Sequence, residues 1–146
     1  MSDVSEFLKK KLITVSDDTS IDEVYNIMTK HKIRHLPVVA GKKILGIISD
    51  KDVLKNTLFV NGKKESSSLL ARDIMSTDLI TAKKFDSIEV IAATLDFHRI
   101  HCVPVVDKGC LVGLITSTDV LRYFVSQQLA KGKIAQPLAV RRKMAS

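Results

Sequence analysis

Two related stretches dominate the sequence: Gly46-Ile47-Ile48-Ser49-Asp50-Lys51-Asp52-Val53-Leu54 and, 67 residues later, Gly113-Leu114-Ile115-Thr116-Ser117-Thr118-Asp119-Val120-Leu121. In each stretch an apolar run ends in a hydroxyl residue, a carboxylate follows three positions on, and apolar residues then recur at helical spacing. This order is typical of a β-strand that leads directly into the first turn of an α-helix. We therefore expect two copies of one strand-to-helix junction.

The two junctions belong to a longer internal repeat. A shift of 67 residues aligns residues 12–54 with residues 79–121 without a gap, and 15 of the 43 aligned positions are identical. A repeat of this length indicates one supersecondary unit that is present twice. Because one such unit is too small to cover its own sheet, we expect the two units to pack around an approximate twofold axis.

Each unit is predicted to have the order β-α-β-β-α, which makes the fold class α/β (α+β). An extended piece at 12–15 precedes a helix whose apolar residues recur at helical spacing over 21–28. Two apolar strands joined by a turn at Gly41 follow. The second helix is expected to run from Asp50 to about Leu58 in the first unit and from Ser117 to about Leu129 in the second.

The composition shifts divide the chain into four parts. We predict a first repeat at 5–60, a linker of loop composition at 61–68, a second repeat at 69–128 and a basic tail at 129–146, which we expect to be flexible. Pro37 and Pro104 lie inside predicted strands, and since proline cannot donate a backbone hydrogen bond, both are expected at the margin of a sheet.

Composition and targeting signals favour an intracellular globular protein. Apolar residues make up 45% and charged residues 27% of the 146 residues, which is close to globular averages. No apolar run approaches the roughly 20 residues of a membrane-spanning helix, and the first residues are acidic where a secretory signal is basic. We expect a cytoplasmic protein whose Cys102 and Cys110 are free thiols, although a disulfide across the predicted hairpin stays open.

The positive charge of the chain is concentrated at its end. The formal net charge is +7, and residues 131–146 contribute five Lys or Arg and no acidic residue, which leaves +2 for the rest. A basic segment of this kind is either a solvated arm or a contact for nucleic acid. A nucleic-acid partner is therefore expected only through the tail.

The doubled order of an Ile-x-x-h-Pro-Val-Val strand and a Gly-h-h-Ser/Thr-x-x-Asp junction, where h is apolar, resembles the cystathionine-β-synthase (CBS) domain. The resemblance covers roughly residues 5–128 as a tandem pair. It implies a stand-alone regulatory module that binds adenosine-containing ligands, such as AMP, ADP, ATP or S-adenosylmethionine, in clefts between the repeats. It also implies a homodimer and an unknown regulated protein.

The junction chemistry agrees with that implication. Ser49 and Thr116 lie where a helix begins, and free N–H groups of a first turn together with the helix dipole attract phosphate. Asp52 and Asp119, one turn further on, would repel a phosphate and therefore suit a neutral hydrogen-bond donor. A ribose diol is such a donor, and the resemblance assigns these two pairs of residues to phosphate and ribose respectively.

The resemblance adds further contacts on both repeats. Arg34 and His101 occupy equivalent positions three residues before the motif proline, where related sequences often place a basic residue against ligand phosphate. Arg34 is charged at any ordinary pH and His101 only when protonated, so we expect the Arg34 site to prefer the more highly charged nucleotide. The resemblance also implies that the adenine is read near two pairs of residues, Thr14-Val15 and Thr81-Ala82.

A simpler interpretation accounts for the same junctions. Ser or Thr followed three residues later by an acid is a helix-capping pattern, and a duplicated cap would repeat as well. The protein would then be a ligand-free oligomerisation or adaptor module. No nucleophile, base and orienting acid stand at recognisable spacing, and no metal motif is present, so we expect neither an enzyme nor a metalloprotein.

Overall fold

The computed structural model describes residues 3–8, 11–133 and 137–139. Its helical elements are a 3-10 turn at Val4–Phe7 and the helices α1 (Ile21–His31), α2 (Asp50–Lys55), α3 (Ala71–Ile74), α4 (Ile88–His98) and α5 (Ser117–Ala130). Its strands are β1 (His35–Ala40), β2 (Lys43–Ser49), β3 (Phe59–Val60), β4 (Lys63–Lys64), β5 (Ala82–Lys83), β6 (Cys102–Asp107) and β7 (Cys110–Thr116).

The predicted fold class and the two antiparallel hairpins are confirmed. Strand β1 pairs with β2, and β6 pairs with β7, in the same register. The extended piece that opens each unit runs parallel to the first hairpin strand. In the second repeat this piece forms the short strand β5 beside β6, whereas in the first repeat it is reduced to one bridge between Val15 and Val38.

The expected position of the prolines is wrong for Pro104. It lies in β6, which is the central strand between β5 and β7. The sheet tolerates this proline because the pairing of β5 begins at the next residue, Val105. In the first repeat the carbonyl of Pro37 accepts from the Val15 N–H at 3.0 Å. The backbone acceptor of this proline is therefore paired, although its nitrogen has no hydrogen to donate.

The linker contains secondary structure that was not predicted. Helix α2 ends at Lys55, earlier than expected, because the side chains of Asn56 and Thr57 donate to carbonyls of its last turn. Strands β3 and β4 then form a hairpin whose two turn residues, Asn61 and Gly62, both have positive φ angles of 51° and 78°. An Asn-Gly turn of this kind matches the twist of a hairpin.

Each repeat has its own apolar core, and the segments that precede the repeats are exchanged between them. The fully buried Val4 packs into the core of the second repeat with Ile91 and Val105. The fully buried Ala71, which stands at the equivalent offset before the second repeat, packs into the core of the first. The two repeats are therefore joined by reciprocal packing as well as by the linker.

The helices use their predicted apolar stripes inside the repeats. Ile21 and Val24 of α1 and Ile91 of α4 are almost completely buried. Several other large apolar side chains are exposed, chiefly on α4 and α5, and they include Val90, Phe97, Leu121, Phe124 and Leu129. On α4 the exposed residues lie off the buried stripe, whereas α5 has no buried residue and exposes the apolar residues that its sequence pattern marks. The apolar pattern of α5 is therefore available to a partner, as expected.

The two cysteines are free and cannot form the bridge that was left open. Cys102 pairs with Thr116 at one end of the β6–β7 hairpin, and Cys110 pairs with Asp107 at the other end. Their α-carbons are therefore separated by most of the length of a strand, far beyond disulfide reach. Across residues 3–8, 11–133 and 137–139, no helix has the length and hydropathy that crossing a bilayer requires.

Candidate functional site

The first junction forms a complete capping box at the start of α2. The Ser49 hydroxyl accepts from the Asp52 N–H at 3.1 Å, and Asp52 Oδ2 accepts from the Ser49 N–H at 2.8 Å. Arg34 lies beside this junction, because its carbonyl accepts from the Asp50 N–H at 2.9 Å. We call the group of Arg34, Ser49, Asp50, Lys51 and Asp52 corner 1.

The second junction repeats this geometry at the start of α5. The Thr116 hydroxyl accepts from the Asp119 N–H at 3.2 Å, and Asp119 Oδ2 accepts from the Thr116 N–H at 2.9 Å. The His101 carbonyl accepts from the Ser117 N–H at 2.9 Å. We call the group of His101, Thr116, Ser117, Thr118 and Asp119 corner 2.

The capping interpretation of the junctions is therefore correct, and it leaves room for a ligand. At each corner Oδ2 of the aspartate serves the cap, whereas Oδ1 of Asp52 and of Asp119 has no hydrogen-bond partner among the described residues. A carboxylate offers about four lone-pair sites on its two oxygens. Both side chains are half-buried, so each corner presents a fixed acceptor to the surface.

The expectation of free N–H groups in the first helical turn is wrong at corner 1. The Asp50 N–H is bonded to Arg34, the Lys51 N–H donates to Asp50 Oδ1 at 2.9 Å, and the Asp52 N–H is bonded to Ser49. At corner 2 the Ser117 and Asp119 N–H groups are similarly bonded, but the Thr118 N–H has no acceptor in the part of the chain that the structure describes.

The predicted basic residues lie where the sequence placed them, one at each corner. His101 also contacts corner 2 through its ring, since its Nδ1 lies 3.4 Å from the Ser117 hydroxyl oxygen. Arg34 is exposed. Their backbone bonds to the first helical residue fix both positions relative to the capping boxes.

The remaining predicted residues lie on two segments that cross between the repeats. Ile47 of β2 and Ser76 exchange two backbone hydrogen bonds of 3.0 and 2.9 Å, and a few residues later Ala82 pairs with Val105 of β6. The segment that ends in Thr81 and Ala82 therefore runs from the first repeat to the second. Thr14 and Val15 occupy the equivalent segment before β1.

The structure does not bring every predicted residue into one cavity. The N–H and carbonyl of Val15 are both bonded to β1, at 3.0 and 2.8 Å, which leaves the backbone of Thr14 as the freer neighbour. Thr81 and Ala82 line a cleft of about 550 Å³ that extends to the turn at 107–109. Corner 2 lies at the opposite end of the same hairpin.

The motif glycines have a structural role that the sequence pattern alone did not reveal. A β-carbon on Gly46 would lie 2.7 Å from Met75 Sδ and 2.8 Å from the Ser76 carbonyl oxygen. A β-carbon on Gly113 would meet the end of the Leu8 side chain. The crossing segments thus press directly against the strands that lead into the corners.

Charges from both corners act on His35, the first residue of β1. Burial lowers the pKa of His35 below its usual value, and while Asp50 opposes this shift, His101 and Arg34 reinforce it. The equivalent residue of the second repeat is Cys102, whose pKa is raised to about 12 by burial and by the Asp119 charge. At about pH 7 an uncharged side chain therefore lies beside each corner.

Comparison with known proteins identifies the class to which this chain belongs. The model of the CBS domain family matches residues 4–58 and 71–126. The chain therefore belongs to the CBS domain family and contains a pair of these domains. Its tandem architecture is also that of a solved CBS domain pair, from protein MJ0100, with a TM-score of 0.75 and 33% sequence identity over 87% of this chain and 98% of that one.

Particular relatives include enzymes and small CBS proteins. The chain is 35% identical to L-aspartate semialdehyde sulfurtransferase of Methanocaldococcus jannaschii over 83% of its own length, which is 23% of the enzyme. It is 27% identical to the CBS domain-containing protein YhcV of Bacillus subtilis over 82% of this chain and 83% of the relative. The chain spans between 22% and 46% of the length of the first curated relatives that it matches.

Proposed function

We propose that this CBS domain pair is a regulatory module that binds adenosine-containing ligands at corner 1 and corner 2 and thereby changes how it meets a partner protein. Asp52 and Asp119 accept hydrogen bonds from the ribose hydroxyls. Ser49 or Thr116, with the basic residue of the corner, faces the group carried on the ribose. The crossing segments at Thr14-Val15 and Thr81-Ala82 contact the adenine.

The observation that carries this proposal is the free carboxylate oxygen at each capping box. Asp52 and Asp119 are held rigidly by their caps, and each keeps Oδ1 available to a donor at the surface. A hydrogen bond to a charged acceptor contributes about 1.5–3 kcal/mol. The solved pair of protein MJ0100 was obtained with 5′-methylthioadenosine and S-adenosyl-L-methionine, both of which present a ribose diol, and this supports the choice of ligand class.

A ligand in this position would act through the crossing segments. These segments are bonded to one repeat at one end and to the other repeat at the other end, as Ser76 and Ala82 show. A ligand that contacts a segment and a corner changes the relative angle of the repeats by its differential affinity for the two arrangements. The exposed apolar face of α4 and α5 is the surface that would transmit the change, in a homodimer or to a regulated protein. No step of this scheme needs catalysis.

Calorimetric titration of the wild type and of two charge variants tests the proposal. S-adenosylmethionine, 5′-methylthioadenosine, AMP and ATP are the titrants. Asp52→Asn and Asp119→Asn keep an oxygen for the capping bond but turn a donor toward the ribose, so each is expected to weaken binding at its own corner by about 10- to 150-fold. Unchanged melting temperatures establish that the caps survive. Equal affinity in both variants and the wild type would exclude the ribose role.

The ligand-free adaptor is the second candidate function, and the completed capping boxes favour it. Both corners are self-sufficient as caps. The adaptor predicts no heat with any of the four titrants, together with loss of self-association when an exposed residue such as Phe124 is replaced by Ser.

Nucleic-acid binding through the tail stays a prediction, because residues 134–136 and 140–146 lie outside the described residues.

A further inference from the structure

The turn of the β3–β4 hairpin in the linker places an asparagine directly before a glycine. Asn61 and Gly62 are both exposed. Apart from its chain neighbours, no described atom would lie within 4 Å of a β-carbon on Gly62, and the Gly62 N–H has no backbone acceptor in the described ranges. The Asn61 side chain and the nitrogen that follows it are therefore both open to water.

This pair of residues can undergo a reaction that needs only water. Hydroxide takes the proton of the Gly62 N–H, and the nitrogen attacks Cγ of Asn61. The new C–N bond closes a succinimide ring, while Nδ2 takes a proton from water and leaves as ammonia. Water then opens the ring at either carbonyl and yields aspartate or isoaspartate. Glycine favours the attack because it has no β-carbon beside the nitrogen.

The two other asparagines of the chain are internal controls. Asn26 and Asn56 are followed by the β-branched residues Ile27 and Thr57, whose side chains crowd the attacking nitrogen. Asn26 lies inside α1, and Asn56 Nδ2 donates to a carbonyl of α2 at 2.7 Å. Asn61 is therefore the asparagine with the least obstructed reaction.

The rate at Asn61 depends on how often the turn opens. Ring closure requires the Asn61 backbone to rotate out of its left-handed conformation, which the closed turn holds. The hairpin consists of two residue pairs, and a two-stranded hairpin alone is marginally stable in water. Contacts outside the hairpin therefore control its opening.

Those contacts dock the linker on α1. Lys64 Nζ lies 2.6 Å from Asp22 Oδ1 and 5.2 Å from the centre of the Tyr25 ring. The Ser67 N–H donates to Asp22 Oδ2 at 3.3 Å. Asp22 thus holds both the second strand of the hairpin and the segment that follows it.

We propose that Asn61 is a site of spontaneous conversion to aspartate and isoaspartate, and that the docking of the linker on α1 controls the rate. Isoaspartate continues the chain through its side-chain carbon, which adds one atom to the main chain of a two-residue turn. Aspartate adds a negative charge close in sequence to Lys64, where it competes with Asp22. Both products weaken the docking, so the conversion loosens the linker between the repeats. The proposal does not depend on ligand binding.

Peptide mass spectrometry of the full chain, incubated at neutral pH, tests the site. Trypsin cleaves after Lys55 and Lys63, so one peptide carries both Asn56 and Asn61, and its fragment ions locate the mass gain. Asn61 is expected to convert at least about tenfold faster than Asn56 or Asn26. Conversion at Asn61 that is no faster than at Asn56 would overturn the proposal.

A matched pair of variants tests the control by docking. Asp22→Asn removes the ion pair but keeps an acceptor for the Ser67 N–H, and it is expected to raise the rate at Asn61 about threefold to fivefold. Lys64→Arg keeps the charge and should leave the rate unchanged. Equal rates in Asp22→Asn and the wild type would overturn the control by docking.

Hydrogen exchange of the linker tests the consequence. Aged wild-type protein should exchange the amide hydrogens of residues 58–67 about twofold to fivefold faster than fresh protein. Asn61→Gly keeps residues suited to the turn but has no side-chain amide, so its aged and fresh forms should exchange alike. Equal exchange in aged and fresh wild type, once the conversion is complete, would overturn the loosening of the linker.

Discussion

A β-carbon placed on Gly46 gives a sharp test of how the crossing segments hold the repeats together. In Gly46→Ala the added methyl would lie 2.8 Å from the Ser76 carbonyl oxygen and 2.7 Å from Met75 Sδ. The Met75 side chain can rotate away, but the carbonyl belongs to a backbone that exchanges two hydrogen bonds with Ile47. The segment has to move outward.

The size of the effect follows from these contacts. Overpacking a tight site costs about 1–3 kcal/mol, and each backbone hydrogen bond that the displaced segment weakens adds about 0.5–1.5 kcal/mol. We expect Gly46→Ala to lower the free energy of unfolding by about 2–4 kcal/mol. Gly113→Ala is the matched control, because its methyl meets only the flexible end of Leu8, and about 1 kcal/mol is expected there.

Urea unfolding followed by circular dichroism measures both variants. We expect Gly46→Ala to be the less stable protein, and we expect it to bind ligand more weakly because its crossing segment is displaced. Equal stability of the two variants would contradict this order, since the contact with backbone would then cost no more than the contact with a side-chain end.

Three further predictions follow from charges and exposure. The pKa of His35 is lowered in the fold, so as the pH falls below about 6.5 the unfolded chain binds the proton before the folded chain does. The free energy of unfolding should therefore decrease as the pH falls through this range. In urea titrations at several pH values, His35→Gln should reduce this dependence of stability on pH. A steeper or unchanged dependence of stability on pH in the variant would contradict this. Cys102, whose pKa is raised to about 12, should react with iodoacetamide much more slowly than Cys110, and mass spectrometry of the labelled peptides gives the order. Lys64 Nζ lies 2.6 Å from Asp22 Oδ1, so Lys64→Gln should speed cleavage of the linker by a glutamate-specific protease without changing ligand affinity.

The internal repeat made the order of strands and helices predictable, but it did not predict that the segments before the repeats are exchanged. Gapless alignment of two copies specifies strand, turn and helix order twice, so errors in one copy are corrected by the other. The packing of Val4 and Ala71 into the opposite repeat is a long-range choice that no local pattern encodes. The motif glycines Gly46 and Gly113 were the one sequence signal of this packing, because a glycine inside a strand often marks the close approach of another segment.

The candidate site was predictable in its residues and less so in its electrostatics. Arg34, Ser49 and Asp52 were identified from spacing and resemblance, and the structure places them together. The Asp50 side chain accepts from the Lys51 N–H of the first turn. The pattern Ser-x-x-Asp allows any residue at this position, so it does not predict this hydrogen bond. Likewise the turn at Asn61 was classed as linker because its composition is polar, although an Asn-Gly pair favours a hairpin.

Native mass spectrometry counts the adenosine-containing ligands bound to each chain and thereby tests whether both corners bind one. With S-adenosylmethionine and AMP both present, we expect two bound ligands per chain for the wild type and none for the Asp52→Asn, Asp119→Asn double variant at the same concentrations. A wild-type chain that retains no ligand, or a double variant that still retains two, would contradict the assignment of the two corners.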